Sequence, residues 1–137
     1  MANDQINRVM YVEDDPDIRA VAELALVDVG GFEALLCESG QQALERIDDF
    51  NPDLVLLDVM MPGMDGPQTL RALQDRPSGL PAPAVFMTAR LQPAEVEEYR
   101  AMGAIGVIPK PFDPMTLGDQ IRDLFAGRQD ANPADLG

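Results

Sequence analysis

Short apolar runs alternate with longer segments of mixed polarity along most of the chain. The short runs are rich in β-branched and aliphatic residues, which is typical of buried strands, and the longer segments repeat apolar residues with a helical period. We predict strands over residues 9–12, 34–37, 54–57, 84–87 and 106–108. We predict helices over residues 16–29, 40–50, 65–75, 93–102 and 114–126. This alternation indicates an α/β fold, a doubly wound parallel sheet with helices on both faces.

Local signals mark several ends of these helices. Asp15 is a potential N-cap for the first helix, and Pro16 follows it at a position where a first helical turn tolerates proline. The helices over 93–102 and 114–126 also begin with proline. Glycine follows the first helix at Gly30 and the fourth at Gly103, where it favours termination.

The chain has the length of a single domain. It contains 137 residues, of which 46% are hydrophobic, and this is enough to bury a substantial core. We assign residues 1–7 to a short N-terminal extension and residues 8–126 to the folded domain. The last segment, GRQDANPADLG over residues 127–137, has almost nothing to bury, and we predict that it is disordered.

The net charge of −14 limits the classes of partner. It argues against a broad electrostatic surface for DNA, RNA or an anionic membrane, and it favours proteins, cations or small ligands. The N-terminal residues lack the apolar stretch of a signal peptide, and no apolar run approaches the roughly 20 residues that span a bilayer. We therefore expect a cytoplasmic protein.

Cysteine and histidine usage excludes two kinds of site. The chain has one cysteine, Cys37, and no histidine, so it forms neither an internal disulfide nor a zinc cluster or histidine-based triad of its own. We expect Cys37 to be a small buried hydrophobic residue.

Polar residues that could bind a ligand or take part in a reaction follow four of the five predicted strands. In an open parallel sheet, ligands bind at the carboxyl ends of the strands, so these side chains converge on one edge. They are Glu13, Asp14 and Asp15 after the first strand, Asp58 after the third, Thr88 after the fourth and Lys110 after the fifth.

Asp58 is the most informative of these residues. It closes the apolar run LVLL, where a charged group is costly unless it is paired or bound to a metal. Carboxylates from two strands that meet at one point form the kind of oxygen-rich site that Mg²⁺ prefers. Taken alone, the acids after the first strand also fit a simpler interpretation, in which Asp15 caps a helix and its neighbours are solvated.

Lys110 is the only lysine in the chain, because the other nine basic residues are arginines. Its compact ammonium group suits a point charge against a phosphate or carboxylate better than a wide guanidinium group does.

Four segments of the sequence resemble the receiver domain of bacterial two-component response regulators, over about residues 8–126. These segments are the acid pair in YVEDDPD, then DVMMPGMDG, MTAR and the KPF of VIPKPF, in the family's order and at strand ends. The resemblance implies the flavodoxin-like (βα)₅ chemotaxis-type receiver fold, with five parallel strands in the order 2-1-3-4-5. It also implies a cis peptide bond between Lys110 and Pro111.

The same resemblance implies a role for each matching residue. Asp58 corresponds to the phosphorylated aspartate, while Thr88 and Lys110 contact the phosphoryl group. Mg²⁺, or Mn²⁺, is the implied cofactor. Its protein ligands are the carboxylates of Asp14 and Asp58 and the backbone carbonyl of Met60, with Glu13 acting through a metal-bound water.

The implied function is signal transduction by a stand-alone response regulator, in a two-component system or a phosphorelay. Asp58 accepts a phosphoryl group from a phosphohistidine on a histidine kinase or a histidine phosphotransfer protein. The protein is then a phosphoacceptor rather than an enzyme acting on other substrates, and it signals through protein–protein contacts. A relay intermediate, a phosphate sink and an effector all fit the sequence.

One position departs from the family's pattern. The family couples its threonine to an aromatic residue on the fifth strand, three places before the lysine, and Val107 occupies that place here. We expect the downstream partner to bind the face formed by helix 93–102, strand 106–108 and helix 114–126. Tyr99, Arg100 and Ile121 are the candidate contacts on that face. We further expect Met60 and Arg90 to tune the lifetime of the phosphoryl group.

Two other functions compete with this interpretation. Val107 is compatible with an interaction module on the same fold that no longer uses phosphate. A Mg²⁺-dependent phosphatase of the haloacid-dehalogenase type also forms an aspartyl phosphate, but that class has a second aspartate two residues after its nucleophile, where this chain has Met60.

Overall fold

The computed structural model describes residues 5–130 and shows the predicted alternation of strands and helices. The strands are β1 (Arg8–Val12), β2 (Glu33–Cys37), β3 (Leu54–Asp58), β4 (Ala84–Thr88) and β5 (Gly106–Pro109). The helices are α1 (Pro16–Glu23), α2 (Gly40–Phe50), α3 (Gly66–Gln74), α4 (Pro93–Ala101) and α5 (Leu117–Asp130).

All strands pair in parallel in the order β2-β1-β3-β4-β5, which confirms the predicted strand order and fold class. The central strand β3 is buried along its whole length, and β1 and β4 flank it. Its last residue, Asp58, pairs in register with Met87 of β4. The carboxyl ends of β1, β3 and β4 therefore meet at one edge of the sheet.

Alternate residues of each strand pack on opposite faces of the sheet. One core lies against α1 and α5, and its strand residues include Tyr11, Leu56 and Ile108. The other lies against α2, α3 and α4, and its strand residues include Val12 and Phe86. Because both faces are buried, the middle residues of the strands are apolar, and the polar side chains of the site come at the carboxyl ends.

The first helix ends differently from a regular α-helix. From Leu24 to Val29 it continues as a π-helical segment, and the Gly30 amide donates to the Ala25 carbonyl, five residues earlier, at 2.9 Å. Gly31 follows in the left-handed region with φ +77°. The predicted end near Gly30 is therefore confirmed, although hydrophobicity patterning did not anticipate the change of helix type.

The last helix begins and ends later than predicted. Asp113 starts a turn ahead of the helix. Its side chain accepts from the Met115 amide at 2.9 Å, and its carbonyl accepts from the Leu117 amide at 3.0 Å. The predicted disordered tail from residue 127 is wrong over residues 127–130, which are helical. The Arg128 guanidinium packs 3.8 Å from the ring centroid of buried Phe125, which anchors this last turn. The remainder of the predicted tail, residues 131–137, lies outside the described residues.

The N-terminal extension is also partly packed. Ile6 is buried in the core, and the Asn7 carbonyl accepts from the Glu33 amide at 2.8 Å. Residues 1–4 of this extension lie outside the described residues.

The structure corrects two of the expected partner contacts on the face of α4, β5 and α5. Tyr99 is only 8% exposed and belongs to the core beneath α4, and Ile121 is fully buried in the core beneath α5. Amphipathic helices turn their apolar side chains toward the sheet, so neither residue lies on the outer surface. Arg100 is exposed, as expected.

None of the helices within residues 5–130 has the length and hydropathy needed to cross a lipid bilayer.

Cys37 is buried, as predicted, and its burial disfavours the reactive thiolate. Its side chain is inaccessible at the end of β2, and loss of solvation raises the pKa of the thiol to about 11 from an ordinary value of 9.0. At a pH below both values, this shift lowers the thiolate fraction about 100-fold. We predict that Cys37 reacts with a disulfide reagent such as DTNB at least 100-fold more slowly in the native protein than in urea. A native rate equal to the unfolded rate would contradict this burial.

Candidate functional site

Three carboxylates cluster at the edge of the sheet where β1 and β3 end. One oxygen from each of Glu13, Asp14 and Asp58 lies within 4.8 Å of the others. The register explains the convergence, because Val12 pairs with Leu57 and the chain places an acid directly after each of them. Glu13 and Asp58 are 1% and 3% exposed, whereas Asp14 is accessible to solvent.

Lys110 joins this cluster from the end of β5. Its Nζ donates to Asp58 Oδ1 at 2.9 Å and to Glu13 Oε1 at 3.0 Å. Burial alone would lower the pKa of the Lys110 ammonium, but its bonds to the two carboxylates outweigh burial and raise the pKa. The ammonium therefore stays charged at neutral pH. The Lys110–Pro111 peptide bond is cis, as the resemblance implies.

Glu13 lies in the most restrictive environment of the three acids. Burial raises its pKa, and the charge of Asp58 acts in the same direction, while bonds from Lys110 and the Asp15 amide oppose the shift. The Tyr11 hydroxyl also donates to Glu13 Oε1 at 3.2 Å. Glu13 is therefore held in place by donors from β1, from Lys110 after β5 and from the loop that follows β1.

The loop that carries Asp14 is fixed at the start of α1. Asp15 caps this helix, because its Oδ1 accepts from the Asp17 amide at 2.8 Å and the Ile18 amide at 3.3 Å. Arg19 reaches back and donates to the carbonyls of Glu13 at 2.8 Å and Asp14 at 3.0 Å. The capping role of Asp15 agrees with the sequence interpretation.

The supporting roles of Tyr11 and Arg19 were not predicted. Tyr11 reads as an ordinary aromatic residue in a buried strand, and its spacing of two from Glu13 is the signal that could have placed both side chains on the same sheet face. Arg19 reads as a solvated residue on an amphipathic helix, so the sequence gives no comparable signal for its backbone contacts.

Thr88 ends β4 beside the acid cluster. It is buried, it follows Met87, the register partner of Asp58, and its Oγ1 accepts from the Arg90 amide at 3.0 Å. The Arg90 side chain is exposed and lies 3.7 Å from Glu95 on α4. The structure thus brings Thr88 to the same edge as the carboxylates and Lys110, as the sequence predicted.

A loop over residues 59–65 connects Asp58 at the end of β3 to α3. The Gly66 amide donates to the Val59 carbonyl at 3.0 Å, and a Cβ at Gly66 would lie 2.5 Å from the backbone oxygen of Asp58. Within this loop, the side chain of Met60 is 75% exposed.

The charges of this site suit a divalent cation. Three carboxylates and one ammonium leave a local deficit of two positive charges, and carboxylate oxygens are the ligands that Mg²⁺ takes. Asp14 is the accessible member of the cluster, so an ion can reach it from solvent. The donor set therefore fits Mg²⁺ or Mn²⁺.

Comparison with known proteins identifies the family. The sequence profile of the response regulator receiver domain matches residues 9–122. The chain belongs to this family. Receiver domains are the signal-transduction modules of two-component systems, so the recognition made from the four sequence segments is confirmed.

Similar proteins include both multidomain regulators and isolated receiver domains. The chain is 34% identical over 129 residues to the DNA-binding response regulator MtrA of Mycolicibacterium smegmatis. This match covers 94% of the chain and 54% of MtrA. It is 34% identical over 120 residues to the transcriptional regulatory protein CpxR of Escherichia coli K12, which covers 88% of this chain and 50% of CpxR. This receiver domain chain spans about half the length of these curated relatives.

A solved structure supports the same fold assignment. The chemotaxis protein CheY4 of Vibrio cholerae superimposes with a TM-score of 0.79 at 28% identity, and the match covers 88% of this receiver domain and 99% of CheY4.

We predict that Gly66→Ala destabilises this receiver domain, because the new Cβ would force the backbone of Asp58 or Val59 to shift. Overpacking of this kind costs about 1–3 kcal/mol in the free energy of unfolding, which urea denaturation measures. Gly127→Ala is the matched control, because a Cβ there meets nothing within 4 Å and lies in α5. An equal stability change in both variants would contradict the close approach of Gly66 to Asp58.

Proposed function

We propose that Asp58 is the phosphoacceptor of this receiver domain, that phosphorylation depends on Mg²⁺, and that the phosphorylated domain signals by binding another protein. The contact between the Lys110 ammonium and Asp58 Oδ1 at 2.9 Å carries this proposal. It places a fixed positive charge beside a buried carboxylate, in a chain that belongs to a phosphoacceptor signalling family.

The transfer step uses groups that the site already holds. A carboxylate oxygen of Asp58 attacks the phosphorus of a phosphohistidine, a P–O bond forms, the P–N bond breaks, and the imidazole leaves with its electron pair and takes up a proton from solvent. The Lys110 ammonium offsets negative charge on the phosphoryl oxygens. The Thr88 hydroxyl donates a hydrogen bond to one of them.

The acid cluster would hold the metal ion. Asp14 and Asp58 would supply carboxylate oxygens, Met60 its backbone carbonyl, and Glu13 a contact through water. Mg²⁺, or Mn²⁺ in its place, supplies positive charge to the oxygens of the transferred group when it is bound. The fit of three carboxylates to a divalent cation supports this assignment.

The phosphodonor is a protein with a phosphohistidine, a histidine kinase or a histidine phosphotransfer protein. An apolar groove beside the site supports a protein donor. Its walls come from the start of α1, at Ile18 and Val21, and from the segment after β5, at Lys110, Pro111 and Phe112. A donor helix in this groove would bring its histidine close to Asp58.

A second candidate function is an interaction module that works without phosphate, and Val107 is the observation that favours it. The convergence of Lys110 on Glu13 and Asp58 favours phosphorylation, because a purely structural edge of the sheet gains little from two buried carboxylates. Met60 occupies the place of the second aspartate that a phosphatase of the haloacid-dehalogenase type needs.

We predict that incubation with acetyl phosphate and Mg²⁺ adds one phosphoryl group to the parent chain and none to Asp58→Asn, as measured by intact mass. EDTA should abolish the gain in the parent. A parent chain that gains no mass under these conditions supports the phosphate-independent module. Rapid turnover of unrelated phosphoesters supports the phosphatase.

We predict that Asp14→Asn weakens Mg²⁺ binding about tenfold or more, because it removes a carboxylate ligand from the cluster. Titration calorimetry measures this affinity directly. Asp17→Asn is the matched control, because Asp17 is an exposed acid in the first turn of α1 and the change removes the same charge. Equal affinities for the two variants would show that Asp14 is not a ligand.

A further inference from the structure

Tyr99 is the residue of α4 that lies buried against the sheet next to the site. Its ring packs 4.8 Å, centroid to centroid, from Phe86 of β4. Phe86 and Thr88 are two residues apart on the same strand, so their side chains point to the same face of the sheet. Tyr99 therefore packs on the same face of the sheet as the Thr88 side chain.

Glu95 lies one helical turn before Tyr99 and carries an unusual oxygen. Its Oε1 is buried and accepts no hydrogen bond within the part of the chain that the structure describes, while its Oε2 lies 3.7 Å from Arg90. Residues four apart on a helix lie on the same face, so this free acceptor is near the Tyr99 side chain. A buried oxygen of this kind is a position that a nearby donor can fill.

Val107 explains why an aromatic residue of α4 fits here. It is the register partner of Phe86 on β5, and it packs against the same core as Tyr99. Its small side chain leaves room beside Phe86 for the ring of Tyr99. The position on β5 that departs from the family's pattern is therefore adjacent to the aromatic residue supplied by α4.

The protonation state of Tyr99 suits a hydrogen-bond donor. Burial raises the pKa of its hydroxyl, and the charge of Glu95 adds to the shift, while the side chain of Thr88 acts in the opposite direction. Tyr99 is thus neutral at physiological pH and retains its proton. Its ring packs on Phe86, two residues before Thr88 on β4, and Glu95 lies one helical turn before it on α4.

We propose that the Tyr99 hydroxyl couples Thr88 to helix α4 by moving between two partners. It stays beside Thr88 while Asp58 is unphosphorylated, and it donates to Glu95 Oε1 once Thr88 turns its hydroxyl to the phosphoryl group. This inference rests on the proposed phosphorylation of Asp58. Tyr99 is a positioning residue, since it touches neither the reacting atoms nor the metal ligands.

The competition for Thr88 gives the proposal its physical basis. The Thr88 hydroxyl has one proton, and its oxygen already accepts from the Arg90 amide. When that proton points to a phosphoryl oxygen, it is no longer available to Tyr99, and a buried hydroxyl left without a partner is unfavourable. Bonding to Glu95 restores a partner, and it changes the contacts that hold the N-terminal half of α4.

The test follows Tyr99 and α4 in the same samples. The chain has two tyrosines, Tyr11 and Tyr99, so 3-fluorotyrosine labelling gives two ¹⁹F resonances, and Tyr99→Phe identifies one of them by its loss. Acetyl phosphate and Mg²⁺ are added, and intact mass reports the phosphorylated fraction. Hydrogen exchange of the α4 amides reports the response of the helix.

We predict that phosphorylation shifts the Tyr99 resonance and changes amide exchange in α4 of the parent. Tyr99→Phe keeps the ring and its packing, so it should unfold in urea at a midpoint close to that of the parent and gain mass to within twofold of it. Its α4 response should be lost. Glu95→Ala should also lose the response, whereas Glu97→Ala, which removes an exposed acid from the same helix, should retain it.

Each other outcome overturns a specific claim. A parent that gains mass without a shift of the Tyr99 resonance overturns the coupling but leaves the proposed function standing. A full α4 response in Tyr99→Phe or in Glu95→Ala does the same. Folded Tyr99→Phe that no longer gains mass overturns the coupling too, because Tyr99 would then act on the chemistry. A parent that gains no mass overturns the proposed function and this inference with it.

Discussion

The Lys110 ammonium holds together two buried carboxylates, Glu13 and Asp58, that would otherwise repel each other at the edge of the sheet. Opposite unit charges about 3 Å apart attract by roughly 5 kcal/mol at an effective dielectric constant of about 20. Burying each ion costs several kcal/mol, which is of the same size. The cluster is therefore close to balance as a source of stability. Its value lies in the remaining negative charge, which suits a divalent cation.

The sheet determines where this charge is placed. Both faces of β3 are covered, and Asp58, its last residue, is the polar residue among four apolar ones. Tyr11 then fixes Glu13 through a bond to its carboxylate, and Arg19 fixes the loop through bonds to the Glu13 and Asp14 carbonyls. Such supporting contacts hold a site in one geometry before its ligands bind.

The region between the site and α4 shows how a local departure is accommodated. Val107 is small, and the ring of Tyr99 packs on its register partner Phe86 from the opposite element. Tyr99 was expected on the outer surface because its helix was judged by sequence pattern alone. The hydrophobic pattern of α4 is weak, so the sequence does not show which side of the helix meets the sheet.

The sequence by itself determined the fold class, the strand positions to within a residue and the set of polar side chains at the sheet edge, because strand burial and helical period are local patterns. The strand order 2-1-3-4-5 was predicted from the resemblance to the receiver family. Only the tertiary structure decided which donors reach Glu13 and that Tyr99 is buried against Phe86. These features depend on contacts between residues far apart in the chain, such as Glu13 and Lys110, and no local pattern encodes the distance between them.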